Sequence, residues 1–413
     1  MIGRVFLLLA LLSCAWQPLC HSDILEHSWS QFDRTLSVFN PAGRYVREPL
    51  EKAIPALTVK GFFRQWSDIN LHHDQNVGFR NKDFRFLQLQ NLLELEVHYQ
   101  LSDNLEITNV NHFLYDGVYN WQDSEGLFAP RVSETARTYH NFERIVRELY
   151  LSYRTHSFDV VLGKQQIAWG KMDGRFIDMI NPMDLRESVQ LEASDFEYRR
   201  IPTWMANMTY FWKGNSLQLL YIPNFEQERL PVLGSPWFPP SVPPLNALLR
   251  NRKRPSAGDF GDHEYGARLD ISMEPLTWGL IYFYAWNDNP DFFITGVQEV
   301  NEQVLPTLTP RQSRLHHFGV TADYATALSG VPLVGELPMV LRVEGLWSTG
   351  VKFADRRRQG AALSGGESQG LISRDTLRAA VALELGLPGN TAFIFQPSLF
   401  YTFSWNNRIV SSG

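Results

Sequence analysis

Cysteine is nearly missing from this chain. Its 413 residues contain two, Cys14 and Cys20, both within the first twenty positions. Removal of that leader would leave no thiol, which excludes disulfide frameworks, cysteine-ligated metals and cysteine nucleophiles together. Long hydrophobic runs are also lacking. After the leader no stretch reaches the roughly 18 apolar residues of a membrane helix, and the mean hydropathy of −0.23 is too low for a helical membrane protein. Positive charge is short, with 38 Lys and Arg against 44 Asp and Glu. The resulting net charge of −6 argues against a nucleic-acid partner. An enzyme would need a nucleophile, a base and an orienting group; serines are common, but none is read as sitting in a G-x-S-x-G elbow, so no catalytic residue is assigned. The adjacent pairs His72-His73 and His316-His317 would point to opposite faces of a strand, a poor chelate. Asn287, Asp288, Asn289 and Asp291 lack the spacing of an EF-hand. No metal and no cofactor is expected.

Alternation is what the chain has instead. From Leu87 to Leu101 the odd positions are Leu87, Leu89, Asn91, Leu93, Leu95, Val97, Tyr99 and Leu101. The even ones are Gln88, Gln90, Leu92, Glu94, Glu96, His98 and Gln100. Strand side chains alternate between faces, so one face is apolar and the other polar. Ser102-Asp103 then turns the chain, and Leu105, Ile107 and Phe113 restart the pattern against Glu106, Thr108 and His112. The hairpin is longer than soluble strands usually are and suits the roughly 9–11 residues of a tilted membrane strand. Thirteen such stretches succeed one another from Leu57 to Trp405.

The links between them alternate in length. Long ones cover residues 67–83, 116–140, 166–202, 223–263, 287–313 and 348–373, and tight turns mostly separate them. Long loops on one rim and short turns on the other are the layout of an outer-membrane barrel. Aromatics at strand ends (Tyr99, Trp121, Tyr153, Trp212, Trp286, Trp347 and Trp405) fit interface girdles. The expected fold is all-β, a transmembrane antiparallel up-and-down β-barrel of about 14 or more strands. Thirteen strands end on the long-loop rim, so the chain reads as C-terminally incomplete, unless one strand is missed or invented. Residues 1–22 read as a signal peptide, with Arg4 before a short apolar core, Pro18 as a helix breaker and cleavage before Asp23. A lipoprotein signal ending at Cys14 and a short buried helix are the alternatives. Residues 23–56 form an N-terminal periplasmic segment or plug, or a plain extension. Residues 57–413 form the barrel.

The third long link carries a signature. Residues 163–187 read GKQQIAWGKMDGRFIDMINPMDLRE. Further pieces are Tyr115-Asp116-Gly117, Arg147-Glu148-Leu149-Tyr150, Arg200-Ile201-Pro202-Thr203-Trp204-Met205, Tyr221-Ile222-Pro223-Asn224-Phe225-Glu226, Leu230-Pro231 and Gly234-Ser235-Pro236. Together they resemble a Gram-negative outer-membrane family of porin-like barrels, the domain of unknown function thirteen-oh-two. The resemblance covers residues 57–238 well and the remainder only as generic strands. It implies a transport or envelope-lipid role, because members are often encoded near pumps that export lipids or hydrophobes. The missing closing strand departs from the family.

Within that link Trp169, Lys171, Asp173, Arg175, Asp178, Asp184 and Arg186 form the candidate constriction loop, since both charge signs are present, as a transverse field in a pore requires. A solvent loop pinned by ion pairs and an Asn-Pro turn reads equally well. Glu94, Glu96, Glu106, Arg268, Asp270, Arg342 and Glu344 form the candidate lumen wall. The basic runs 250–254 and 356–358 could grip lipopolysaccharide phosphates or be plain solvated charge. The expected function is a porin-like channel or export component of the bacterial outer membrane. The alternatives are a lipid- or hydrophobe-handling barrel and a membrane-embedded hydrolase. Expected partners are outer-membrane lipid, lipopolysaccharide and a periplasmic or efflux-pump protein. Cell fractionation should find the protein in the outer membrane; a freely soluble periplasmic species would refute the reading.

Overall fold

The computed structural model describes residues 48–71, 84–118, 145–172, 176–186, 197–230, 248–249, 254–300, 303–331, 335–366, 369–389 and 391–410. The expected signal peptide, the first part of the N-terminal segment, Trp121, His72-His73, Asp173, Arg175 and most of the 250–254 run lie outside them.

A short helix, α1 (Glu48–Ala53), leads into the sheet, and its Glu51 Oε1 accepts from the Val59 amide at 3.1 Å. The strands come next in order. The first group is β1 (Leu57–Asn70), β2 (Arg85–Ser102), β3 (Leu105–Asp116), β4 (Val146–Arg154), β5 (Phe158–Gln165), β6 (Thr203–Trp212) and β7 (Asn215–Ile222). The second is β8 (Leu248–Leu249), β9 (Glu264–Met273), β10 (Leu276–Trp286), β11 (Asp291–Val300), β12 (Gln303–Arg311), β13 (Arg314–Val331), β14 (Gly335–Asp355) and β15 (Leu371–Leu387). The last is β16 (Thr391–Phe395), β17 (Ser398–Thr402) and β18 (Ile409–Val410), with helix α2 (Arg356–Leu363) between β14 and β15.

Fifteen of these strands make one sheet in the order β1-β2-β3-β4-β5-β6-β7-β9-β10-β13-β14-β15-β16, with β17 on β15 and β18 on β14. Each neighbour pair is antiparallel, and most are sequential hairpins. β16 and β17 pair with successive parts of β15 and are interrupted at Gln396-Pro397, where proline cannot donate to a ladder. Each of the thirteen alternating stretches falls on one position of this path. The architecture is an all-β, antiparallel up-and-down barrel wall.

Burial is inside out relative to a soluble sheet. Exposed large apolar residues include Leu93, Leu95, Leu162, Met208, Leu219, Leu280, Phe318, Val320, Leu341 and Val381. Buried residues on the opposite face include Gln88, Gln90, Glu94, Thr108, Glu148, Ser152, Gln165, Thr203 and Glu344. Such a sheet gains from hydrocarbon on one face and encloses a polar space with the other. Near strand ends Tyr99 and Tyr153 are exposed, whereas the exposed Trp347 lies inside β14, which continues eight residues beyond it, and the exposed Trp405 lies past β17.

Two features depart from the sequence expectation. The link read across residues 287–313 folds its own hairpin, β11 with β12, and β8 adds to it in parallel as a separate three-stranded sheet. Local alternation is weak there, because Pro306 and Pro310 and a register shift at Ile294/Gly296 interrupt it. The link read across 348–373 is shorter: β14 runs on to Asp355, and the basic triplet 356–358 opens α2 rather than a loop. Asp355 caps that helix by accepting from the Arg358 amide at 2.9 Å. Ala362 of α2 packs with Ile294 and Leu308, so hairpin and helix share one small core on the long-loop rim.

The inside-out register can be tested at Val320, which is 50% exposed on the apolar face. Val320→Arg should destabilise the protein in lipid vesicles by about 2–4 kcal/mol if the site is near the midplane. Val320→Leu should be near neutral, both read by urea unfolding. A tolerated arginine would mean that this face does not meet lipid.

Candidate functional site

The polar face is not polar throughout. On β1 to β5 it carries Lys60, Arg64, Gln88, Gln90, Glu94, Glu96, Glu106, Glu148 and Ser152, as alternation and the register dictate. On β6 to β14 it carries Met205, Leu220, Ile222, Ile281, Phe283, Ala285 and Leu346, all buried. That apolar strip needs a cover, and the segment after β5 supplies it. Trp169, Ile177, Met179 and Ile180 pack against the strip as one cluster, with Ile167 at its edge. Farther along, Met172 and Phe176 pack on Ala380 and Ala382 of β15, and the Phe176 ring lies 5.5 Å from Phe400 of β17.

Polar anchors fix the same segment. Trp169 Nε1 donates to Gln218 Oε1 at 2.7 Å, and Gln218 Nε2 donates to Asn207 Oδ1 at 2.9 Å. Arg268, forked onto Asp270, donates through Nη1 to the Trp169 carbonyl at 2.7 Å. Glu344 Oε1 accepts from the backbone N–H of Lys171 at 2.6 Å and of Met172 at 3.2 Å. Lys171 Nζ pairs with Asp323. Asn181 closes the turn before Pro182: its Oδ1 accepts from the Ile167 amide at 2.7 Å, and its Nδ2 donates to the Ile201 carbonyl at 3.0 Å. Gly266 of β9 leaves the space for the indole, since a Cβ there would sit 3.0 Å from Trp169 Cη2.

Magnitudes decide which anchors matter. The Lys171 side chain is 51% exposed, and an exposed pair is worth about 0–1 kcal/mol. Burying a large apolar side chain is worth about 1.5–3 kcal/mol. Trp169, Ile177 and Ile180 are each 3% exposed or less. The apolar seat therefore holds the segment, and the polar contacts set its register.

The other end of the segment reaches the opposite end of the strand path. Tyr198 lies edge-on to Phe62 of β1 at 5.8 Å, and Arg147 Nη1 of β4 donates to the Tyr198 carbonyl at 2.7 Å. Arg147 also donates to the Glu197 carbonyl and, at 3.1 Å, to Gln166 Oε1. Strict alternation would send Arg147 to the apolar face with Leu149. A register shift at Val110/Asn111, where Val110 faces Glu148 and Asn111 faces Val146, leaves Arg147 as the extra residue of a bulge. Both Arg147 and Glu148 are buried as a result. Asp184 forks onto Arg186 at 2.8 and 2.6 Å, with Arg229 at 3.8 Å. Asp178 pairs with Arg200 at 2.7 Å.

The structure thus brings Trp169, Lys171, Asp178, Asp184 and Arg186 onto the polar face. Glu344, Arg268 and Asp270 touch or orient the segment. Glu94 pairs with His112, Glu96 and Glu106 flank His98, and Arg342 pairs with Glu384 at 3.2 Å. Sequence reasoning missed Arg147, Asn181, Gln218, Gly266 and Tyr198 as partners. Two of them left a signal: Arg147 is a charge in an otherwise apolar stripe, and Asn181 is the first residue of the Asn-Pro turn.

The enzymatic alternative has two traces. His317 Nδ1 lies 2.7 Å from Ser348 Oγ, but among the described residues no carboxylate orients that imidazole, which stacks on Phe283. Gly366, Ser368 and Gly370 spell G-x-S-x-G, contrary to the sequence reading. That pentapeptide comes after helix α2 and before strand β15, the reverse of a strand-to-helix nucleophile elbow. Among the described residues no group of three or more His, Cys, Asp or Glu could hold a metal.

Burial alone would raise the Asp184 carboxyl, but Arg186 and Arg229 outweigh it and hold the pKa below its ordinary value. A depressed carboxylate contributes stability above its unfolded pKa, and loses it as pH falls through the folded one. The melting-temperature difference between the wild type and Asp184→Asn should stay flat from neutral pH down to about pH 4 and shrink below it. A difference that vanished already near about pH 6 would contradict the pairing.

No curated protein matches the chain in sequence. Solved structures similar to it are outer-membrane proteins. Pseudomonas putida OprB is 12% identical, with 88% of this chain and 97% of that one covered, at a TM-score of 0.34. In-vitro folded OmpT of Vibrio cholerae is 11% identical over 84% and 81%, with a TM-score of 0.31. Salmonella typhi OmpF, in complex with daunomycin, is 9% identical over 84% and 97%, with a TM-score of 0.30. At these scores the likeness carries no argument about this chain. A family match over residues 40–383 shows that the chain belongs to the family described as "Protein of unknown function (DUF1302)".

Proposed function

We propose that the protein is an outer-membrane channel or export component, in which the polar face of the sheet lines the lumen and residues 166–202 narrow it. The observation that carries this reading is the path of that segment. One described part seats on β14, β15 and β17 and another on β1 and β4, toward opposite ends of the strand order, which supports a segment that crosses the polar face. Trp169, Lys171, Asp178, Asp184 and Arg186, with Asp173 and Arg175 between them in sequence, would form the constriction. Glu94, Glu96, Glu106, Arg268, Asp270, Arg342 and Glu344 would form the wall. Carboxylates and guanidinium groups on both sides of a narrow path give a field that orients a solute with separated charges.

In this reading lipid and lipopolysaccharide meet the apolar face, and a periplasmic or efflux-pump partner meets the short-turn rim. The reading is non-enzymatic.

Conductance of the full chain in planar bilayers tests it. Gln165 and Thr203 are paired across the mouth of the segment, so a short Gly-Ser link can replace residues 166–202 without moving β5 or β6. That replacement should raise the unitary conductance, and Glu344→Gln should add current noise by loosening the anchor at Lys171. Absence of discrete steps in the wild type would refute the pore. Steps that the replacement leaves unchanged would place the segment outside the conducting path.

A further inference from the structure

Among the described residues, Arg64 of β1 stands on the polar face held by rings rather than by an ionic partner. Its Cζ lies 4.5 Å from the Tyr198 ring centroid, 5.3 Å from that of Trp66 and 5.4 Å from that of Phe62. Within that set no carboxylate ion-pairs with its guanidinium and no hydrogen bond engages it. The neighbouring carboxylates are occupied: Glu94 by His112, and Asp184 by Arg186 and Arg229. Two of the three rings around Arg64, Trp66 and Tyr198, also line a cavity of about 80 Å³ between β1–β3 and the exit of the 166–202 segment. Leu92 and Leu114 give that cavity apolar lining, and Arg186 and Arg199 line it together with one carboxylate, Asp184, which Arg186 engages.

We infer that Arg64 and this cavity form a binding subsite for a small carboxylate with an apolar body. The chemistry is direct. A guanidinium held between rings keeps its planar fork oriented and is weakly hydrated, so it loses little on pairing with a carboxylate. The fork makes two parallel charge-assisted bonds to such a group. The carboxylate's short alkyl part then lies on Trp66, Leu92 and Leu114. A cation is disfavoured there by Arg64 and Arg199, since Asp184 offsets only Arg186. The inference deepens the lumen reading and rests on it, but it is read by binding rather than by current, so the two can fail separately.

The test is calorimetric titration of butyrate into the full chain folded in detergent. Butyrate should bind, acetate more weakly and butylammonium not at all. Arg64→Gln should weaken butyrate by about tenfold or more, the scale of lost hydrogen bonds to a charged group. Arg64→Lys should fail to restore it, because an ammonium has no planar fork. Leu114→Trp, which fills the cavity and leaves Arg64 in place, should also abolish binding; far-UV circular dichroism checks that each variant is folded. Inorganic phosphate binding as tightly as butyrate would show that the apolar wall is not used and would overturn the assignment. So would a butyrate affinity unchanged in folded Arg64→Gln, or no butyrate heat in the wild type.

Discussion

A sheet that gives one face to hydrocarbon has a single place for its polar side chains. In this protein that constraint governs the rest of the fold. Backbone groups are paired between neighbouring strands from β1 to β15, because an unpaired group is costly in lipid, while the outer edges of β1, β16 and β17 have no strand partner among the described residues. Side chains then sort by parity, with Leu93, Phe318 and Val320 outward and Glu94, His317 and Thr321 inward. Carboxylates and guanidinium groups crowded onto the inner face must satisfy one another. They do so as short local pairs: Glu94 with His112, Arg268 with Asp270, Arg342 with Glu384. Each pair ties adjacent strands or neighbouring positions of one strand, so the inner face is stiffened by the same residues that make it polar.

The strip on β6 to β14 breaks the rule and explains the long segment after β5. Leucine, isoleucine and phenylalanine facing a hydrated space would be costly to leave bare. Trp169 and the isoleucines behind it remove that surface from water. Glu344 and Arg268 then hold the backbone of the same turn. The apolar seat supplies most of the adhesion, and the buried acids and bases supply position. The far end is held by different chemistry, a bulge-turned arginine and an aromatic cluster around Tyr198. The two described parts are thus anchored to strands that are distant from each other in sequence.

Arg147 and Arg64 mark how little geometry separates a structural cation from one available to a ligand. Arg147 is turned inward by one extra residue and is engaged by carbonyls and Glu148. Arg64 sits in regular register on β1, three positions from β4 along the strand path, and rings surround it. Rings fix a guanidinium without consuming its donors, whereas carbonyls consume them. That difference is what makes one an anchor and the other a recognition group.

The amino-acid order alone determined the strands of the main sheet and their sidedness. Period-two patterning is local, and Leu87 to Leu101 states which side chains face lipid whatever the strand pairs with. It also singled out residues 163–187 as unlike the other links, and placed Glu94, Arg268 and Glu344 on the polar side. Only the tertiary structure decided where that link runs. Its partners Phe62, Gln218, Gly266 and Asp323 sit on strands far from it in sequence, and Asp323 is 152 residues from the Lys171 that it pairs with. It also decided that residues 291–311 form a hairpin, and that Arg147 turns inward. A bulge depends on how two strands meet, and a seat depends on a shape that several strands build together. Neither is written in any one stretch of sequence.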